Sequence, residues 1–178
     1  LADLKLAGEE VVIDLGAGAG IDSFLVASRL SAGMVISVDF TAEMLSTAAT
    51  KTTGQHVIRI AADIERLPFP DNLSDLILAN AEENTKEDII ALRERGHNVY
   101  VAFPKSIDDA IEELKKLAIL LNAPYEDLCS DIRSTLKKHP PFSYLYLIWS
   151  NPLMSISSDC FIASMLSAVG GINRAPQT

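Results

Sequence analysis

The sequence predicts an α/β fold: a parallel sheet with flanking helices, then a long connecting helix and a small partial α/β unit. Two observations carry this prediction. Short apolar runs bounded by turn residues alternate with amphipathic runs from one end of the chain to the other, the pattern of parallel strands covered by helices. The bulk is sufficient as well, because 178 residues of which 48% are hydrophobic can build one α/β domain or one domain plus part of a second.

Strands are predicted over Val11–Leu15, Met34–Asp39, Val57–Ala61, Leu76–Asn80, Val99–Phe103 and Tyr144–Ile148. Helices are predicted over Asp22–Leu30, Ala42–Ala49, Lys86–Arg95 and Ile107–Leu121, where apolar residues recur every three or four positions and can lay one stripe on a sheet. Thr85 and Asp88 read as a capping box at the start of the third helix, and Gly96 as its left-handed terminator. Between Pro104 and Pro141 the alternation breaks. A long helix to Asn122, a stop at Ala123 and Pro124, and a second helix over Tyr125–Lys138 follow one another without a strand between them. Three regions result: an N-terminal domain over 1–104, connecting helices over 105–140 and a C-terminal unit over 141–178.

Composition narrows the function. A formal charge of −9 with 15 scattered basic residues argues against nucleic acid, whose phosphates need clustered Lys and Arg. No apolar run approaches the ~20 residues that would insert across a bilayer. Cys129 and Cys160 sit in no metal-binding or disulfide pattern, and His56, His97 and His139 share no ligand spacing, so no metal site is expected. Glu82, Glu83, Glu87 and Asp88 read as a solvated helix start, with Glu82 and Glu83 alternatively at the sheet's carboxyl edge. The chain opens at Leu1 without Met, a basic segment or an apolar core, as a piece of a longer protein would. No secretory leader is legible, and the cytoplasm is the expected compartment.

The most informative segment is Val11-Val-Ile-Asp-Leu-Gly-Ala-Gly-Ala-Gly20, an apolar strand running into a glycine-rich turn and then a helix. Gly16, Gly18 and Gly20 lack a Cβ, so the backbone can turn sharply and approach a ligand closely. A second apolar strand ends in Asp39, about 20 residues on, where a carboxylate can accept from both hydroxyls of an adenosine ribose. The plainer alternative is that Asp39 caps the next helix. Asp14 inside the first strand and Asp63 after the third are acids that a plain dinucleotide loop does not require.

Residues 9–80 resemble the front half of a class I S-adenosylmethionine-dependent methyltransferase, most closely the small-molecule group. The resemblance implies a Rossmann-like domain with S-adenosylmethionine as cofactor and a small molecule as methyl acceptor. Asp14, Gly16, Ala17, Gly18 and Gly20 would hold the methionine part, Asp39 the ribose, and Phe40, Met44, Asp63 and Ile64 the adenine. Asn80 would face the sulfonium. The stretch Ala79–Asn84 has neither the cysteine of arsenite methyltransferases nor the Asn/Asp-Pro-Pro-aromatic signature of amino methyltransferases. No catalytic residue is assigned.

From about Leu76 onward the sequence resembles instead the periplasmic binding proteins of cobalamin and siderophore transporters, whose two lobes are joined by one rigid helix. Ile107–Leu121 matches that helix. Tyr144–Met154 with Ser158–Asn173 matches the opening strand and helix of the second lobe, which makes Trp149, Asn151 and Met154 candidate ligand-cleft residues or ordinary packing residues. The chain therefore reads as a chimera joined on Leu76–Asn80, a junction that keeps the strand, helix, strand order intact. The alternative to a methyltransferase-like protein is a non-catalytic ligand-binding module or an inactive chimera.

Overall fold

The computed structural model describes residues 6–51, 56–67, 69–70, 72–82, 84–122, 134 and 136–175. It divides into two compact units, Leu1–Ala102 with Ile119–Ala123, and Phe103–Ala118 with Pro124–Thr178.

The first unit is built on β1 (Val11–Leu15), β2 (Met34–Asp39), β3 (Val57–Ala61), β4 (Leu76–Asn80) and β5 (Val99–Ala102), with α1 (Ile21–Ala27), α2 (Ala42–Lys51) and α3 (Lys86–Glu94) between them. All pairings are parallel, in the order β3-β2-β1-β4-β5. The central strands are buried over nearly their whole length, as expected of a sheet covered on both faces. Their register stacks Ile13 beside Ile36 and Ile77, and Leu15 beside Val38. These side chains, with Ala79, Ile89 and Val99, form one core. The opposite face presents Val12 and Val35, both fully buried, together with Asp14 and Ser37.

The first four strands have the bounds that the sequence predicts. α1 stops earlier than predicted, because the Ser28 hydroxyl folds back onto the Leu25 carbonyl and the Arg29 N–H turns to the Val26 carbonyl. Half of the predicted capping box forms at α3: Thr85 accepts from the Asp88 N–H at 3.2 Å, and its hydroxyl, not its backbone N–H, donates to the Asp88 carboxylate. Gly96 closes it at φ 90°. Asp75 ties the start of β4 to β1, accepting from the Val11 N–H at 2.8 Å through its side chain.

Ahead of β1, the Glu10 carboxylate accepts the N–H groups of Ala7 and Gly8. Burial pushes this carboxyl up, but the backbone donors outweigh it and hold it below the ordinary glutamate range. A depressed folded-state value contributes stability above the unfolded value and loses it as pH falls through the folded one. Glu10→Gln is therefore expected to lower the thermal midpoint at neutral pH. The gap to the wild type closes as pH falls below the ordinary glutamate value of about 4.3, and midpoints for both proteins from neutral into acid pH check it. A constant gap would assign the contribution to shape rather than charge.

The long helix α4 (Ile107–Leu120) carries the i,i+3 pairs Glu112–Lys115 and Glu113–Lys116. Such exposed pairs contribute only a few tenths of a kcal/mol each. In the second unit, β6 (Phe142–Tyr144) pairs in parallel with β9 (Gly171–Asn173), while β7 (Leu147–Ser150) and β8 (Leu153–Ser155) form an antiparallel hairpin. Between β8 and β9 lies α5 (Phe161–Ala168). The strand predicted over Tyr144–Ile148 is thus two strands. β6 ends at Tyr144, Leu145 and Tyr146 belong to neither strand, and the Ile156 N–H on the Tyr146 carbonyl leads into β7, which pairs with β8 instead. Most of the helix predicted over Tyr125–Lys138 lies outside the described residues, and Leu136–Lys138 are not helical.

Candidate functional site

In the N-terminal sheet the chain leaves β1 toward β2 and β3 on one side and toward β4 and β5 on the other. This reversal between β1 and β4 is where parallel α/β sheets bind ligands, outside the carboxyl ends of their strands. The turn Gly16–Gly20 follows β1 at that point. Gly16, Gly18 and Gly20 take φ values of 71°, 50° and 72°, all in the left-handed region that glycine enters without strain. The turn is pinned to the neighbouring strand, because the Gly16 and Ala17 N–H groups both donate to the Val38 carbonyl at 2.9 Å.

Asp39, at the end of β2, is part of the same construction. Its Oδ2 accepts the Gly18 N–H at 2.8 Å and its Oδ1 the Thr41 N–H at 2.7 Å. One oxygen therefore latches the glycine turn and the other shapes the entry to α2. A carboxylate has about four acceptor positions, so two hydrogen bonds leave room for ligand hydroxyls. A Cβ built on Gly18 would meet only the Met44 methyl at 3.7 Å and the Gly16 carbonyl at 3.9 Å. The turn is open to a ligand on that side.

Around this centre, Phe40 is 82% exposed and Met44 40% exposed, an uncommon display of apolar surface beside a polar turn. Asp63 is exposed at the end of β3, and Ile64 begins a 3-10 turn over Ile64–Arg66. Asn80 ends β4, but its side-chain oxygen accepts the Glu82 N–H at 2.9 Å, and its own carbonyl accepts from the Asn84 side chain. The acid inside β1 is elsewhere: Asp14, 4% exposed, lies beneath the turn and accepts the Ser23 hydroxyl at 2.5 Å. Ser23 in turn meets the Ser37 hydroxyl at 2.6 Å, and both serines are fully buried. Sequence reasoning passed over Ser23 and Ser37. The available signal was the register, since Asp14 and Ser37 are the polar residues in the interiors of their strands and pair directly across β1 and β2. Asp22, in the first turn of α1, is reached by solvent yet hemmed in by surrounding chain, and that desolvation pushes its carboxyl above the ordinary range.

The candidate cleft residues of the C-terminal unit gather on one hairpin. Trp149 and Met154 are partners across β7 and β8, and the Trp149 Nε1–H donates to the Asn151 carbonyl at 2.9 Å in the turn. The indole is 63% exposed. An open groove of about 880 Å³ beside the hairpin is lined by Leu145, Leu147, Leu153, Met154 and Ile156. Trp149 and Asn151 do not line it. Among the described residues no cluster of three His, Cys, Asp or Glu side chains forms a metal site, and no helix is long and apolar enough to cross a membrane.

Comparison with known proteins finds two kinds of relative. Residues 12–99 match the methyltransferase-domain family. An arsenite methyltransferase of Halobacterium salinarum is 37% identical over 83 residues, 44% of this chain and 21% of that protein. A vitamin B12-binding protein of Vibrio cholerae is 21% identical over 108 residues, 56% of this chain and 39% of that protein. In three dimensions, the periplasmic vitamin B12 binding protein BtuF of Vibrio cholerae superposes with a TM-score of 0.64 over 93% of this chain and 66% of its own, at 18% identity. That likeness is one of fold. The chain spans between a fifth and two fifths of these curated relatives' lengths. Residues 12–99 thus match the methyltransferase-domain family while the chain is also similar to vitamin B12-binding proteins, the mixed composition that its motifs imply.

Proposed function

We propose that the N-terminal unit binds S-adenosylmethionine and that the protein is methyltransferase-like toward a small-molecule acceptor. The observation that carries this reading is the glycine turn at the sheet's switch point, latched through Gly18 to Asp39, the acid placed for a ribose. The residues fit the cofactor. Gly18 holds φ 50° with no close contact where a Cβ would stand, and Asp39 keeps acceptor capacity. The exposed Phe40 and Met44, with Ile64, offer apolar surface that a purine would cover, and Asp63, exposed after β3, would accept from its amino group. When bound, the cofactor supplies an electrophilic methyl group on a sulfonium.

Binding and transfer are expected to come apart. The turn, Asp39 and Asp63 are held by local hydrogen bonds, so S-adenosylhomocysteine is expected to bind in the micromolar range by calorimetry. Transfer asks more, because the acceptor must be held in line with the methyl group and shielded from water. Asn80, to which the resemblance assigns that task, has its side-chain oxygen committed to its own turn. Incubation with radiolabelled S-adenosylmethionine and a panel of thiol, arsenite and phenol acceptors is expected to give product at the background rate. Turnover well above background would show a working acceptor pocket. Absence of homocysteine-nucleoside binding would remove the cofactor reading altogether.

A second reading, a non-catalytic module for a tetrapyrrole or siderophore-like ligand, is favoured by one feature, the exposed Trp149 indole paired with Met154 on the hairpin. A flat apolar ring of that kind stacks on planar ligands. Thermal shift with cobalamin and haem separates the two readings, since a ligand stabilises only the fold that binds it.

A further inference from the structure

We infer that Ser23 and Ser37 are positioning residues, a buried hydroxyl relay that clamps the two ends of the glycine turn and so sets affinity for the amino-acid end of the cofactor. The inference rests on the cofactor reading above. Asp14 precedes the turn Gly16–Gly20 and Ser23 follows it, so the 2.5 Å bond between them spans the turn and fixes the distance between the last residues of β1 and the first turn of α1. Ser37 extends the clamp to β2, the strand whose end carries Asp39. The relay thus joins the three elements that frame the site.

Proton accounting gives it a direction. Ser23 has one hydroxyl proton, which it donates to Asp14 Oδ2. The proton in the Ser23–Ser37 contact must then come from Ser37, and the chain runs Ser37 to Ser23 to Asp14, ending on a carboxylate. All three groups are buried, with Ser23 and Ser37 at 0% exposure. A buried carboxylate deprived of a donor either moves toward another or becomes protonated. Either response changes the span of the turn.

This role separates from general packing because the two ends of the cofactor rest on different parts of the site. The ribose is assigned to Asp39, which makes no hydrogen bond to either serine and meets the turn only through Gly18, and the methionine part to the whole turn that the clamp spans. Calorimetry with two probes, S-adenosylhomocysteine and adenosine, reads them separately. Ser23→Ala is expected to weaken the first by about tenfold or more and the second by less than about threefold. Ser37→Ala leaves Ser23 donating to Asp14, so its selective loss is smaller, and Ser37→Thr, which keeps the hydroxyl, restores binding. Should circular dichroism show that Ser23→Ala does not fold, the Ser37 pair carries the test alone. Equal losses on both probes, or no loss on either, overturn the inference while leaving the cofactor reading standing. A wild-type protein that binds neither probe overturns both.

Discussion

Gly20→Ala is expected to destabilise the N-terminal unit by about 2–5 kcal/mol, the sum of a left-handed backbone penalty and an overpacking cost. Gly20 holds φ 72° at the start of α1, and a Cβ there would stand 2.6 Å from the Ala48 Cβ and 3.2 Å from its Cα. Ala48 is buried on α2, so the clash falls on a helix backbone rather than on a side chain that can swing away. Gly96 supplies the control. Its φ is 90°, but nothing lies within 4 Å of a Cβ placed on it, so Gly96→Ala carries only the backbone penalty of about 1–2 kcal/mol. Urea unfolding of the two variants checks the difference. Equal losses would mean that α2 yields freely and that the close approach of the turn to Ala48 does not constrain the site.

Asp39→Ala is expected to weaken S-adenosylhomocysteine binding by roughly 1.5–3 kcal/mol, the cost of removing hydrogen bonds to a charged acceptor, or about tenfold to over a hundredfold in affinity. The geometry adds a second effect. Because the carboxylate also accepts from the Gly18 and Thr41 N–H groups, the ligand-free variant loses stability as well, by about 1–2 kcal/mol. Calorimetry for affinity and thermal melting without ligand measure the two separately. A fall in stability with affinity unchanged would make Asp39 a structural latch and cap only, and the ribose contact would be dropped from the proposal.

Legibility followed the physics of each region. β1 to β4 were readable to the residue because runs such as Val-Ile-Ser-Val are too short and too β-branched for a helix and are closed by Gly, Asp or Asn. The glycine turn and Asp39 were readable as a pair because their roles depend on spacing along the chain. The latch from Gly18 to Asp39 was not, since it depends on how β2 sits beside β1. Ser23 and Ser37 escaped because serine is usually exposed, and only the pairing of Asp14 with Ser37 explains their burial. In the second unit the run Tyr-Leu-Tyr-Leu-Ile-Trp has no alternation to mark a face. Nothing in it announces the break between β6 and β7 at Leu145–Tyr146, and the hairpin could not be told from one continuous strand.

The strand order also carries a consequence for how the molecule assembles. β1 meets β2 across a connection of some twenty residues, whereas its other neighbour begins at Leu76, and the Val11–Asp75 contact closes a span of 64 positions. Closing a longer loop costs more chain entropy before any contact repays it, so pairings distant in sequence tend to form late. The glycine turn, its Asp39 latch and the serine relay all lie within the early, local half of the sheet. A nascent chain would therefore complete the turn and its latch while the far strand was still arriving. Ligand present at that stage would act on the order of assembly as well as on the finished fold.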